Sequence, residues 1–157
     1  MEAFVEVIDL SKSYPAPEGE EPVEVFAKLN LSVEKGASVA IVGPSGSGKS
    51  SLLNLIGALD KPTRGEVRVG GEELSAMDLS ESARYRNQTV GFVFQSHHLL
   101  PACTVLENLM VPALAGHGGL SGDALQDRAL GLLEEVGLAH RADHRPGEIS
   151  GGERQRA

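Results

Sequence analysis

The residues GPSGSGKS, Gly43 to Ser50, carry the clearest promise of chemistry in this sequence. They fit the pattern G-x-x-x-x-G-K-[ST], with a nearly all-apolar run before them and apolar residues at helical spacing after them. Gly46 and Gly48 let the backbone curl so that successive N–H groups point inward, and the positive end of the following helix faces the same concavity. Lys49 would reach the β- and γ-phosphates as a point charge, and the hydroxyl of Ser50 would ligate Mg2+. The stretch predicts a site for a nucleoside triphosphate with magnesium. A second stretch, EISGGERQRA from Glu148 to Ala157, places a serine and two glycines ahead of Arg154, Gln155 and Arg156. It reads as the opening turn of a helix that holds an anion.

The elements that must position these residues follow from periodicity and turn chemistry. FVEVIDL alternates as a strand, the stretch from Pro15 to Pro22 breaks it, and VEVFAKLNLSVEKG supplies two further strand pieces divided near Lys28. Together they predict an antiparallel sheet. ASVAIVG, residues 37–43, has the composition of a buried parallel strand feeding the glycine-rich turn. Leu52, Leu53, Ile56 and Leu59 mark a helix that DKPTRG ends, and EVRVGGEEL reads as a strand with a Gly70-Gly71 turn. After a polar helical segment around Ser80 to Arg86, TVGFVFQ is a second buried strand ending at Gln95. Beyond it the chain turns helical. Thr104 is the expected N-cap of TVLENLMVPAL, with Glu107 as its capping-box partner. GHGGLSG is a linker, and Leu125, Ala129, Leu132, Leu133 and Val136 restore a helical period that Gly137 stops.

Composition excludes several classes of function. The chain has 157 residues, 41% of them apolar, enough for an ordinary globular core. A formal charge of −8, four Phe, two Tyr and no Trp argue against nucleic acid as a partner, since neither a basic field nor a stacking platform is present. No stretch approaches the roughly 18 apolar residues needed to cross a bilayer. The start MEAFVEVIDL lacks the flank and apolar run of a signal peptide, so a cytosolic chain is expected. The single Cys103 suits a reducing compartment, as a small, partly buried thiol. His97 and His98 adjoin in a polar turn, and His140 and His144 lack a third ligand, so none of them reads as a metal site.

Three segments in order identify a resemblance. GPSGSGKSSLLNLIGALDKPTRGEV resembles the Walker A loop and following helix of the ATP-binding cassette (ABC) family, VGFVFQ resembles its Q-loop, and ISGGERQRA resembles its signature motif. The resemblance spans essentially the whole chain. It implies an α/β fold: a P-loop nucleotide-binding domain with an N-terminal antiparallel β subdomain and an inserted helical subdomain. Residues 1–95 would form the β subdomain and Walker A core, and residues 96–157 the helical part ending in the signature. It further implies ATP and Mg2+ as cofactors, with Gly43, Pro44, Ser45, Gly46, Ser47, Gly48, Lys49, Ser50 and Ser51 around the phosphates and Tyr14, in LSKSYP, stacked on adenine. Gln95 would join Ser50 at the magnesium, act with Lys49 in catalysis, and sense a transmembrane partner. Ser150, Gly151, Gly152 and Glu153 would contact the γ-phosphate held by a second nucleotide-binding subunit, in a head-to-tail dimer. Relative to the commoner LSGGQ form, Ile149 replaces Leu and Glu153 replaces Gln.

The middle segment RNQTVGFVFQSHHLLPACTVLENLMVPAL is similar to ATPase subunits of lipoprotein release (Lol type), with macrolide exporters (MacB type) and a division-linked type as near relatives. The resemblance implies an ATP-hydrolysing subunit peripheral to the cytoplasmic face of the inner membrane. It would touch the bilayer only through transmembrane permease partners. A soluble repair or translation ATPase fits less well, because no basic stripe or coiled-coil insertion is present. In the family, an aspartate for magnesium, a glutamate that polarises water and a switch histidine follow the signature helix. Glu134 and Glu135 precede it and read as a solvated helix face. The chain therefore reads as the front part of a longer ATPase, truncated after the signature, with the C-terminal part of the core missing. The apolar faces of ASVAIVG and TVGFVFQ would then be exposed and their edges unpaired. The alternative is a non-catalytic nucleotide-binding module.

Overall fold

A computed structural model of the chain describes residues 3–115 and 122–157, so most of the GHGGLSG linker lies outside the described residues. The chain forms two compact units, Met1–Arg86 and Asn87–Ala157.

In the first unit, strands β1 (Ala3–Tyr14), β2 (Val23–Glu34), β3 (Arg64–Val69) and β4 (Glu72–Glu73) make an antiparallel sheet of order β2-β1-β3-β4. Val7 lies opposite Leu31 on one side and Val67 on the other, at the centre of the sheet. A bulge around Asp9 shifts the register, so Val7, Leu10 and Lys12 are the buried residues of β1 in place of a strict alternation. Asp9 and Lys28 both take positive φ there, held by Asn30 and Ser11: the Asp9 N–H donates to Asn30 Oδ1 (2.9 Å) and the Lys28 N–H to Ser11 Oγ (3.0 Å). Those bonds explain why β2 is one strand and not the two pieces the sequence suggests. Its break at Lys28 is absorbed as a bulge. Gly70 and Gly71, at φ 58° and 86°, form the expected hairpin turn between β3 and β4.

Helix α1 (Lys49–Ile56) buries Leu52 and Leu55 and packs on β3; Val67, Leu74, Met77 and Tyr85 are also buried in this unit. It stops at Gly57, earlier than Leu59, and Leu53 and Leu59 are exposed; the apolar face turns through Leu55 instead. A short 3-10 turn (Leu74–Ala76) leads to α2 (Leu79–Gln88). Asp78 and Glu81 cap α2 reciprocally, each accepting the other's N–H at 2.8 Å.

The second unit packs α3 (Val105–Ala115), α4 (Asp123–Glu135) and α5 (Gly151–Arg156) with 3-10 turns at Ala139–Arg141 and Pro146–Glu148. Val105, Leu133, Leu138, Ala142 and Ile149 form its core. Thr104 and Glu107 make the expected capping box, with N···O distances of 2.6 and 3.1 Å. Gly137, at φ 69°, stops α4 as expected: its N–H bonds Glu134 O and that of Leu138 bonds Leu133 O. This doubly bonded ending brings Leu133 and Leu138, both fully buried, into contact range across the helix end. Leu132 and Val136 lie on the exposed flank, because the neighbouring packing selects the Leu125, Ala129, Leu133 stripe.

Neither predicted parallel strand forms. Residues 37–43 and 89–95 run without regular structure, with Val42 86% and Val93 94% exposed. A strand is stable only with a neighbour for its ladder and cover for its faces. Among the described residues neither segment has a strand beside it, and both show the exposed apolar surface expected of unpartnered runs. Among the described residues no helix is long and apolar enough to cross a membrane.

Candidate functional site: a phosphate loop and a capped serine helix

The loop from Gly43 leads into α1 through Gly48, whose φ of 84° makes the left-handed turn that starts the helix. Gly46 has φ 80°. A side chain at Gly48 would also strike Val25 and Phe26 of β2, so glycine is required there for both conformation and space. No side chain caps α1 and no acidic residue lies in its first turn. The helix therefore presents its positive end bare, the state that suits an anion. Lys49 Nζ bends back over the loop, bonding Gly43 O (3.0 Å), Pro44 O (2.7 Å) and Ser47 Oγ (3.4 Å). These neutral acceptors keep an ammonium at the loop without neutralising it. Ser45, Ser47 and Ser50 are exposed, and Gly48, Lys49 and Ser51 are half-buried where α1 begins. The donor set fits a polyphosphate: a helix end without a side-chain cap, three serine hydroxyls and a cation, with no carboxylate in the loop.

Tyr14 ends β1 in the same unit. Its hydroxyl donates to Asp60 Oδ2 (2.9 Å), and the Lys12 ammonium lies 4.5 Å from its ring centroid. Lys12 is 7% exposed and bonds Asp60 and Lys61 O. Partial burial pulls the Asp60 carboxyl upward, but hydrogen bonds from Lys12, Tyr14 and the Lys61 N–H, with the Lys12 charge, outweigh it and hold it below the usual range. Sequence reasoning missed Lys12 and Asp60. The i, i+2 spacing of Lys12 and Tyr14 on one strand face was a usable signal, whereas nothing in the sequence tied either to Asp60.

In the second unit Gln95 is exposed at the end of the irregular run 89–95, beside Phe94, which packs on Phe92 and against the ring of His98. Ser150 caps α5, its Oγ accepting the Glu153 N–H (3.3 Å) while Glu153 Oε2 accepts the Ser150 N–H (2.7 Å). Gly151 and Gly152 lie exposed at the start of the helix. Glu153 Oε1 also takes Arg141 Nε at 2.8 Å. Its carboxyl is lowered to about 2, first by the Ser150 N–H, then by the Ser150 hydroxyl and Arg141. Arg154 donates to Pro146 O and Ile149 O, fixing the turn before the serine. Arg141 and Arg154 are positioning residues that the motif alone did not reveal. His144 Nε2 lies 3.2 Å from Arg141, and among the described residues no cluster of ligating side chains forms a metal site.

The chain is 52% identical over 150 residues to the lipoprotein-releasing system ATP-binding protein LolD 1 of Rhodopirellula baltica, covering 96% of this chain and 64% of that protein. It is 50% identical over 156 residues to the LolD protein of Geobacter metallireducens, covering 99% and 68%. The fold matches the dimeric post-hydrolysis structure of the ATP-binding cassette MJ0796 bound to ADP and Pi, with a TM-score of 0.87 and 40% identity over 97% of this chain and 66% of that one. The chain thus spans about two thirds of the length of these relatives. The α/β cassette fold expected from the motifs is the one found. The sequence model of the ABC transporter family matches residues 26–157, phosphate loop through serine helix, and the chain belongs to that family.

Proposed function

We propose that the protein is the ATP-binding and ATP-hydrolysing subunit of a membrane transporter of the lipoprotein-release type. It works as a dimer of nucleotide-binding subunits beneath transmembrane permease partners, at the cytoplasmic face of the inner membrane. The observation that carries this reading is the bare N-terminus of α1 with Lys49 folded over its loop. The names of the 50–52% identical relatives support the transporter type, and the dimeric MJ0796 cassette supports the pairing.

Residues 1–95 carry the nucleotide and residues 96–157 the signature. Lys49 exchanges its neutral loop carbonyls for the β- and γ-phosphates, a stronger charge-assisted bond. The N–H groups from Gly46 to Ser51 take phosphate oxygens, and Tyr14 takes the adenine. The Ser50 hydroxyl would hold Mg2+, which when bound supplies charge neutralisation at the phosphates. Gln95 orients the attacking water. The Ser150 hydroxyl, which bonds Glu153 in this structure, exchanges that carboxylate for a neighbour's γ-phosphate. Gly151 and Gly152 offer no side chain to obstruct that approach.

The test is MgATP affinity in the intact protein, by titration calorimetry, for wild type and Lys49→Ala. Loss of roughly tenfold or more is expected for removing a charge-assisted phosphate contact. Wild-type affinity in a folded Lys49→Ala protein would sink the phosphate-loop reading.

A further inference from the structure

We propose that Lys12 and Asp60 are positioning residues for the adenine platform: together they fix the edge and one face of Tyr14, leaving the other face for the base. This rests on Tyr14 being that platform, as proposed above.

The two residues hold the ring from different directions. Asp60 accepts the Tyr14 hydroxyl at 2.9 Å, which tethers the far edge of the ring. Lys12 Nζ lies 4.5 Å from the ring centroid, a cation over the π face. Each is itself pinned. Lys12 Nζ bonds Asp60 Oδ1 and Lys61 O, both at 2.8 Å, and Asp60 Oδ1 accepts the Lys61 N–H at 2.7 Å. Burying an ammonium within a strand is costly unless it is paired, and an apolar residue in its place would pack without that cost. The oxygens around Lys12 meet its needs, while its placement against the ring accounts for a lysine at this position.

The consequence is preorganisation. A free, partly exposed tyrosine samples several rotamers and loses them on stacking. Tyr14 is 38% exposed yet tethered at two points, so its stacking face is set before a base arrives. Stacking alone is tolerant of base identity. The unit therefore contributes affinity for the nucleoside and none for the polyphosphate.

The experiment measures affinity of the intact protein for MgATP and for magnesium tripolyphosphate, which has the phosphates and no nucleoside. Asp60→Asn and Lys12→Met are expected to weaken MgATP about three- to tenfold and leave tripolyphosphate unchanged. Tyr14→Phe, which keeps the ring and loses the tether, is a milder change with the same pattern. In a Tyr14→Ala background, Asp60→Asn should cost nothing further. If Tyr14→Ala weakens MgATP selectively while Asp60→Asn, Lys12→Met and Tyr14→Phe do not, the platform stands and the positioning proposal is overturned. If Tyr14→Ala itself leaves MgATP untouched, the platform reading fails and the proposal goes with it. Equal weakening of both ligands in all three positioning variants would mark a merely structural role and also overturn it.

Discussion

Glu153 Oε1 and Arg141 Nε lie 2.8 Å apart, tying the 3-10 turn Ala139–Arg141 to the first turn of the serine helix. The other oxygen of the same carboxylate accepts the Ser150 N–H. Glutamate at this position therefore caps and clamps at once. Its carboxyl is held at about 2 in the folded chain against an ordinary 4.5. A depressed carboxylate stabilises the fold fully above its unfolded value, and that contribution fades as pH falls from 4.5 towards 2. Glu153→Gln keeps an acceptor for the Ser150 N–H but has no charge to lose. Urea midpoints at neutral pH and at about pH 3 should therefore fall further in wild type than in the variant. An identical acid loss in both would show that the clamp is not the titrating element.

Gly48 and Gly46 both have positive φ, but only Gly48 is also crowded. A Cβ at Gly48 would lie 2.7 Å from Val25 Cγ1 and 2.9 Å from Phe26 Cδ1, whereas Gly46 has open space. Gly46→Ala should cost about 1 kcal/mol for the backbone alone. Gly48→Ala should cost about 2–4 kcal/mol, since overpacking adds to it. Thermal melts of the two variants rank them directly, and equal costs would count against the β2 contact.

Asn108 bonds the loop before its own helix at both ends of its amide. Its Oδ1 accepts the Leu100 N–H at 2.7 Å, and its Nδ2 donates to Leu100 O, Cys103 O and Thr104 O at 3.2, 3.3 and 2.8 Å. Asn108→Ala leaves these groups without that partner. Stability should drop by about 1–3 kcal/mol, and limited proteolysis should cut between Leu100 and Thr104 faster than in wild type. Unchanged cleavage would mean the loop is held by something else.

Leu133 and Leu132 are neighbours with opposite fates. Leu133 is fully buried at the end of α4, and Leu132 lies on its exposed flank. Leu133→Ala should cost about 2–5 kcal/mol and Leu132→Ala less than about 1. Denaturant titration separates them, and a reversal would place the core on the wrong face of α4.

The parts of this protein that the sequence made legible are those settled within a few residues. The Thr104 and Glu107 box, the Gly70-Gly71 turn, the Gly137 stop and the phosphate loop all depend on side chains and φ angles that lie next to one another. What stayed hidden depends on partners far along the chain. Asp60 is 46 residues from Tyr14, and Arg141 is 12 from Glu153. The bulge at Asp9 is a matter of three strands meeting: a side chain at Gly65, φ 84°, would run into the Asp9 backbone carbonyl. Apolar composition suggested strands at residues 37–43 and 89–95, and neither forms, because composition says nothing about whether a neighbouring strand is there to pair with them.

Those two runs also set the clock of the molecule. Amides in β1 between Val5 and Val7 are locked by pairing on both sides, so their deuterium uptake must wait for the sheet to open. Amides of residues 38–43 and 90–95 have no such lock and should label at nearly the rate of an open chain. The phosphate loop hangs directly from the first of these runs and Gln95 ends the second. The phosphate loop and Gln95 therefore adjoin the segments expected to exchange fastest.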